Sequence, residues 1–176
     1  MLALRVATVA IIAALPMTPA HAQDATTVTA TAKMMDKDGK EVGTVTFKET
    51  PSGKIWGIAE ITGVPAGPHG FHIHETGKCD GADGFKSAGG HYTGEMKHGV
   101  MAEGGPHAGD LPNVHAAAEG VVKAEFFTDG FTLGEGGKNP LKDADGSAVV
   151  LHAQPDDYTT QPTGDAGDRL ACGVVE

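Results

Sequence analysis

The chain has 176 residues, with 13 basic against 23 acidic side chains and a formal net charge of −10. That length suits one domain around one core. The acidic balance argues against a nucleic-acid partner, because phosphate contacts need clustered Lys and Arg.

The first residues read as an address. Met1 to Arg5 is a short basic start, Val6 to Met17 an apolar run, and Ala20-His21-Ala22 a small-x-small cleavage pattern. The expectation is export, removal of residues 1–22 after Ala22, and a single periplasmic domain over 23–176 with no membrane contact thereafter. An uncleaved anchor is the alternative. The run is short for a bilayer and Pro16 interrupts it.

Past the leader the chain reads as all-β. Thr26 to Ala32, Val42 to Phe47, Ile55 to Ile61, Val121 to Phe127 and Ala148 to Leu151 are short runs rich in Val, Thr and Ile. Turn formers separate them: Asp36-Lys37-Asp38-Gly39, Pro51-Ser52-Gly53, Pro65-Ala66-Gly67-Pro68 and Asp143-Ala144-Asp145-Gly146. The two Asp-x-Asp-Gly sequences lack the glutamate of a calcium loop, with Phe47 and Gln154 at its position, and read as turns. No window carries a helical stripe, so an antiparallel sandwich or barrel is expected. Two glycine-rich stretches, Glu75 to Asn113 and Ala153 to Arg169, are too long for plain connections and read as functional loops.

The donors sit in and beside those loops: His72-Ile73-His74, His91, His98, His107-Ala108-Gly109-Asp110 and His152. Neutral imidazole and carboxylate are ligands for copper and zinc. Six histidines and an aspartate are too many for one tetrahedral ion and suit two, particularly if one ring serves both. In a strand, His72 and His74 share a face and can reach one metal while Ile73 points into the core. Any one of these histidines alone would read as a solvated residue. Their joint presence points to metal. Cys79 and Cys172, an even pair in an exported chain, read most economically as one disulfide, with two buried thiols as the alternative.

Three segments carry a resemblance. Gly67 to Glu75 is similar to the first copper motif of the exported bacterial copper/zinc superoxide dismutases. Lys97 to Asn113 resembles their zinc loop, and Gly167 to Val174 their closing segment. The resemblance covers nearly all of the chain after the leader, in the right order. It implies an eight-stranded antiparallel Greek-key barrel or sandwich, immunoglobulin-like in architecture, with two long functional loops.

It further implies one copper held by His72, His74, His91 and His152, and one zinc held by His91, His98, His107 and Asp110, with His91 as the bridge. The substrate would be superoxide, disproportionated to dioxygen and hydrogen peroxide. In the family's account His91 also delivers a proton, and Arg169 matches the arginine that docks the anion. Asp156, rather than adjacent Asp157, matches a carboxylate that orients one ligand of each metal. His69 matches a structural histidine. Monomers and homodimers both occur in the family, so a homodimer is one expectation. One departure stands out: Ala153 to Asp168 contains no lysine to steer the anion, so Lys78 or Lys86 is expected to substitute. The rival class is an exported copper and zinc buffer, which needs neither Arg169 nor a shared ligand.

Overall fold

A computed structural model describes residues 28–92 and 96–176. The expected leader, with its junction at Ala22, and His21 lie outside the described residues. Nine strands form one antiparallel sheet: β1 (Thr29–Asp36), β2 (Glu41–Glu49), β3 (Ile55–Thr62), β4 (Gly67–His69), β5 (Phe71–His74), β6 (Val114–Ala116), β7 (Val121–Thr128), β8 (Ala148–His152) and β9 (Arg169–Val174). Their order across the sheet is β4-β6-β7-β3-β2-β1-β9-β8-β5.

That order explains why nine segments stand where eight strands are expected. The chain runs straight from β4 through Gly70 into β5, yet these two pieces occupy opposite edges of the sheet. One strand changes partners at Gly70, from β6 to β8, and so brings the two edges together. Barrel closure removes the unpaired edges that an open sheet would expose. The Gly70 N–H donates to Gln154 O (2.8 Å), and its carbonyl accepts from the His152 N–H (2.9 Å). Beside it, His69 spans the carbonyls of His152 (2.8 Å) and Pro65 (2.7 Å), tying this junction together.

The interior follows the period-2 rule of strands. Ala30, Ala32 and Met34 of β1, Ile55, Ala59 and Ile61 of β3, and Phe71 and Ile73 of β5 all enter one core. Phe47 packs edge-to-face with Phe126 and Phe131 at centroid distances of 6.2 and 5.9 Å. Met34 is fully buried in this core, so its thioether serves packing.

The same alternation turns His72 and His74 to the outer face of the barrel, where the long loops bury them completely. On β8, Val149 and Leu151 face the core. Ala148 and Val150 face outward into a second, smaller cluster with Phe85, Ala88 and Cys172. A bulge between Leu151 and His152 ends that strand beside β9. The Cys79–Cys172 disulfide, spanning 93 positions, fastens the first long loop to β9. Only two short 3₁₀ turns, Gly81–Asp83 and Lys86–Ala88, interrupt the β character of the described residues.

Candidate metal centre

Loop chain is stitched onto the outer edge of β5. Ile73 N–H donates to Gly109 O (2.9 Å), and Tyr92 N–H donates to Ile73 O (2.9 Å). Those two bonds carry His91 and Asp110 to positions beside His72 and His74. The end of β8 supplies His152. Two groups of four donors result, His72, His74, His91 and His152, and His91, His98, His107 and Asp110, each with its ligand atoms within 4.8 Å of one another. His91 belongs to both.

Counting hydrogens shows what these groups need. A neutral imidazole donates from one nitrogen and accepts at the other. His74 Nδ1 lies 3.0 Å from Gly89 O and His152 Nδ1 lies 3.3 Å from Gly167 O. A carbonyl only accepts, so both hydrogens sit on Nδ1. The two Nε2 lone pairs then face each other at 3.3 Å. His72 donates from Nε2 to Asp156 Oδ2 (2.7 Å), which leaves a lone pair on its Nδ1. That Nδ1 and His91 Nε2 are both buried without a partner. Four imidazole nitrogens therefore converge with no proton among them to share. A cation in their midst satisfies all four, and copper suits imidazole donors.

The second group has the same character. His98 donates from Nε2 to Asp156 Oδ1 (2.9 Å), so its Nδ1 lone pair lies 3.1 Å from the anionic Asp110 Oδ1. His91 Nδ1 and His107 Nδ1 approach the same oxygen at 3.2 and 3.4 Å. The other oxygen of Asp110 is occupied, accepting from Gly99 N–H (2.8 Å) and His107 N–H (3.0 Å). Three nitrogens and Asp110 Oδ1, which accepts the one hydrogen left in this group from His91 Nδ1, match the tetrahedral preference of zinc once that hydrogen is released.

Protonation is consistent with this role. Burial pushes His72 down to about 4 and His152 down to about 2, the latter helped by its imidazole neighbours; burial likewise holds His74 well below its ordinary value. All three are neutral and open to a cation at neutral pH. Burial alone would raise Asp110, but hydrogen bonds from His91 and the Gly99 amide outweigh it and keep the group ionised.

Around the donors lies a set of holders. Asp156 bridges His72 and His98, one ring from each group, while Asp157 is exposed and binds Thr159 and Thr160. Asn113 grips the Asp156 backbone twice, at 2.8 Å to its N–H and 2.8 Å to its carbonyl. Gln161 does the same for His98, accepting from its N–H (2.9 Å) and donating to its carbonyl (2.7 Å). Gly164 stands so close to Asp156 that a Cβ there would lie 2.0 Å from Oδ1. Arg169 is half-buried beside the first donor group, its Nη1 donating to Phe85 O (2.5 Å) and Nη2 to Gly89 O (2.6 Å), the carbonyl that His74 Nδ1 also meets. Lys86 is exposed in the adjacent 3₁₀ turn, and Lys78 is exposed next to Cys79. Gln161, Gly164 and Phe85 leave no local mark in the sequence, because each meets its partner across long stretches of chain only once the loops are folded. Asn113 was within reach, as the last residue of the zinc-loop segment.

A closed β-barrel carrying two donor groups joined by one histidine defines a two-metal protein. The copper/zinc superoxide dismutase (SODC) family model matches residues 41–175. A copper/zinc superoxide dismutase of Caulobacter vibrioides is 45% identical over 150 residues, covering 84% of this chain and 85% of that protein. One from Aquifex aeolicus is 42% identical over 146 residues, covering 82% and 86%. Among solved structures, a superoxide-dismutase-like protein from Bacillus subtilis superposes with a TM-score of 0.77 at 35% identity, covering 82% and 96%. The copper/zinc superoxide dismutase of Brucella abortus gives 0.66 at 33%, covering 85% and 100%. This chain belongs to the copper/zinc superoxide dismutase family.

Proposed function

We propose that this chain is a working superoxide dismutase, with copper held by His72, His74, His91 and His152 and zinc by His91, His98, His107 and Asp110. The observation that carries this reading is the convergence of four unprotonated imidazole nitrogens, one of them on a ring that also faces the second group. When bound, copper supplies one-electron exchange with superoxide, and zinc supplies a fixed charge on the far side of the shared ring.

The chain's own residues do the rest. The reaction takes two superoxide anions and two protons to dioxygen and hydrogen peroxide. Arg169 keeps a permanent charge beside the copper group, and two of its five donors are already fixed to carbonyls, leaving others for a small anion. His91 Nε2 is the atom positioned to hold and release a proton toward the product. Asp156 locks the tautomers of His72 and His98 so that their Nδ1 atoms face the metals. Lys86, exposed and next in sequence to the Phe85 carbonyl that holds Arg169, serves as a steering charge, its local field acting within an acidic molecule.

Export to the periplasm, with loss of residues 1–22, is supported by the leader pattern and by the Cys79–Cys172 disulfide, a bond that persists in oxidising compartments. The mass of the protein recovered from the periplasm tests the junction at Ala22. For the activity, the test is metal-reconstituted protein given a pulse of superoxide. Fast decay with one peroxide per two superoxides is expected. Two metals bound without turnover would sink the enzymatic reading and favour the buffer.

A further inference from the structure

Phe85 has a backbone that its side chain disfavours. It is left-handed, at φ 64 and ψ 20, directly after Gly84, which is also left-handed at φ 68 and ψ 32. Bulky L-residues avoid this region and persist there only when the surroundings over-determine them. Here they do. The ring is 1% exposed, packed with Ala88, Ala148, Val150 and Cys172 beneath the loop. Its N–H donates to Asp80 O (2.8 Å), and its carbonyl accepts from Ala88 N–H (3.1 Å). The same carbonyl receives Arg169 Nη1 at 2.5 Å.

We propose that Phe85 is a positioning residue for the superoxide reaction: its buried ring fixes the residue-85 carbonyl, and that carbonyl fixes the plane of the Arg169 guanidinium. The inference rests on Arg169 being the anion-docking group.

Two hydrogen bonds hold the guanidinium, and they are not equivalent. Gly89 O accepts both Arg169 Nη2 (2.6 Å) and His74 Nδ1 (3.0 Å), so one end of the fork is tied to a copper-site ring. With that bond alone the planar fork could swing about the Gly89 oxygen. The Phe85 carbonyl removes this freedom. The loop between Cys79 and Gly89 has no strand ladder to hold it. The disulfide fastens its start, and the Phe85 ring is the large apolar group that seats its middle on β8 and β9. A buried side chain that touches neither metal nor substrate thus sets the angle at which the anion is met, and the left-handed backbone is the consequence of serving both ends.

A double-mutant cycle on the copper- and zinc-loaded protein tests this, with azide as the monovalent anion probe, titrated through the visible absorption of copper. Superoxide decay is read alongside. Arg169→Ala is expected to weaken azide on the order of ten-fold and Phe85→Ala about three- to ten-fold, while the double variant is no weaker than Arg169→Ala. Phe85→Leu, which keeps an apolar plug, restores binding to within about two-fold of wild type. If Arg169→Ala leaves azide binding unchanged, the docking role fails. If Arg169→Ala weakens azide but Phe85→Ala does not, or the two losses add, the Phe85 inference is overturned. Should Phe85→Ala not fold, Phe85→Val takes its place in the cycle and must show the same non-additivity.

Discussion

Replacing Gly164 by alanine strikes the link between the two donor groups without touching a donor. The residue has φ +66, and a Cβ would lie 2.0 Å from Asp156 Oδ1 and 2.5 Å from His98 Nε2. The left-handed backbone costs an alanine about 1–2 kcal/mol. The larger effect is displacement of a buried carboxylate from its histidine partners, where each charge-assisted bond contributes about 1.5–3 kcal/mol. With two such bonds the sum is about 4–8 kcal/mol, or a fall in Tm on the order of 10–30 °C for a domain of this size. Zinc should be held about 10- to 100-fold more weakly, because His98 loses the partner that orients it. Calorimetry of the loaded protein and competition with a zinc chelator measure both. Gly39→Ala is the control: φ +77, with nothing within 4 Å of the new Cβ, so only the backbone cost applies. If Gly164→Ala matches Gly39→Ala in Tm and zinc retention, the close approach to Asp156 has no energetic content.

Three further outcomes are expected. The metal-free protein should lose stability in mild acid: folded His72 and His152 take protons at about 4 and about 2 against 6.5 when unfolded, so the unfolded state binds more protons below pH 6.5. The penalty is absent above that pH and reaches about 2 kcal/mol for each histidine at pH 5; urea midpoints that stay flat from pH 8 to pH 5 would contradict it. Cys172→Ser opens a cross-link across 93 positions and should lower stability by roughly 4–5 kcal/mol, read as a Tm fall that dithiothreitol reproduces in the wild type. Lys86→Glu should slow superoxide decay about two- to five-fold at low salt and flatten its ionic-strength dependence; an unchanged rate and slope would remove Lys86 as the steering charge.

The long strands were legible because β-branched residues alternate over them: Val42 to Phe47, Ile55 to Ile61 and Val121 to Phe127 each lie inside an observed strand with boundaries off by a few residues at most. β6, with three residues, is too short to carry such a pattern. β9, Arg-Leu-Ala-Cys-Gly-Val, carries no run of β-branched residues and stands out for its Arg and Cys instead. The division of one strand at Gly70 is a property of barrel closure, which pairs residues far apart in sequence and leaves no local mark. The donor residues were legible from their chemistry and from the resemblance. The holders were not. Phe85 adopts a conformation its own propensity opposes, and Gln161 meets His98 across 63 positions, a contact that exists only once both loops are folded.

The shared histidine is the central claim, and anomalous scattering collected at the copper and zinc edges from crystals of the loaded protein tests it most directly. A copper peak is expected against His91 Nε2, His72 Nδ1, His74 Nε2 and His152 Nε2, and a zinc peak against His91 Nδ1, His98 Nδ1, His107 Nδ1 and Asp110 Oδ1. A His91 ring in contact with one peak alone, or both elements in a single site, would contradict it.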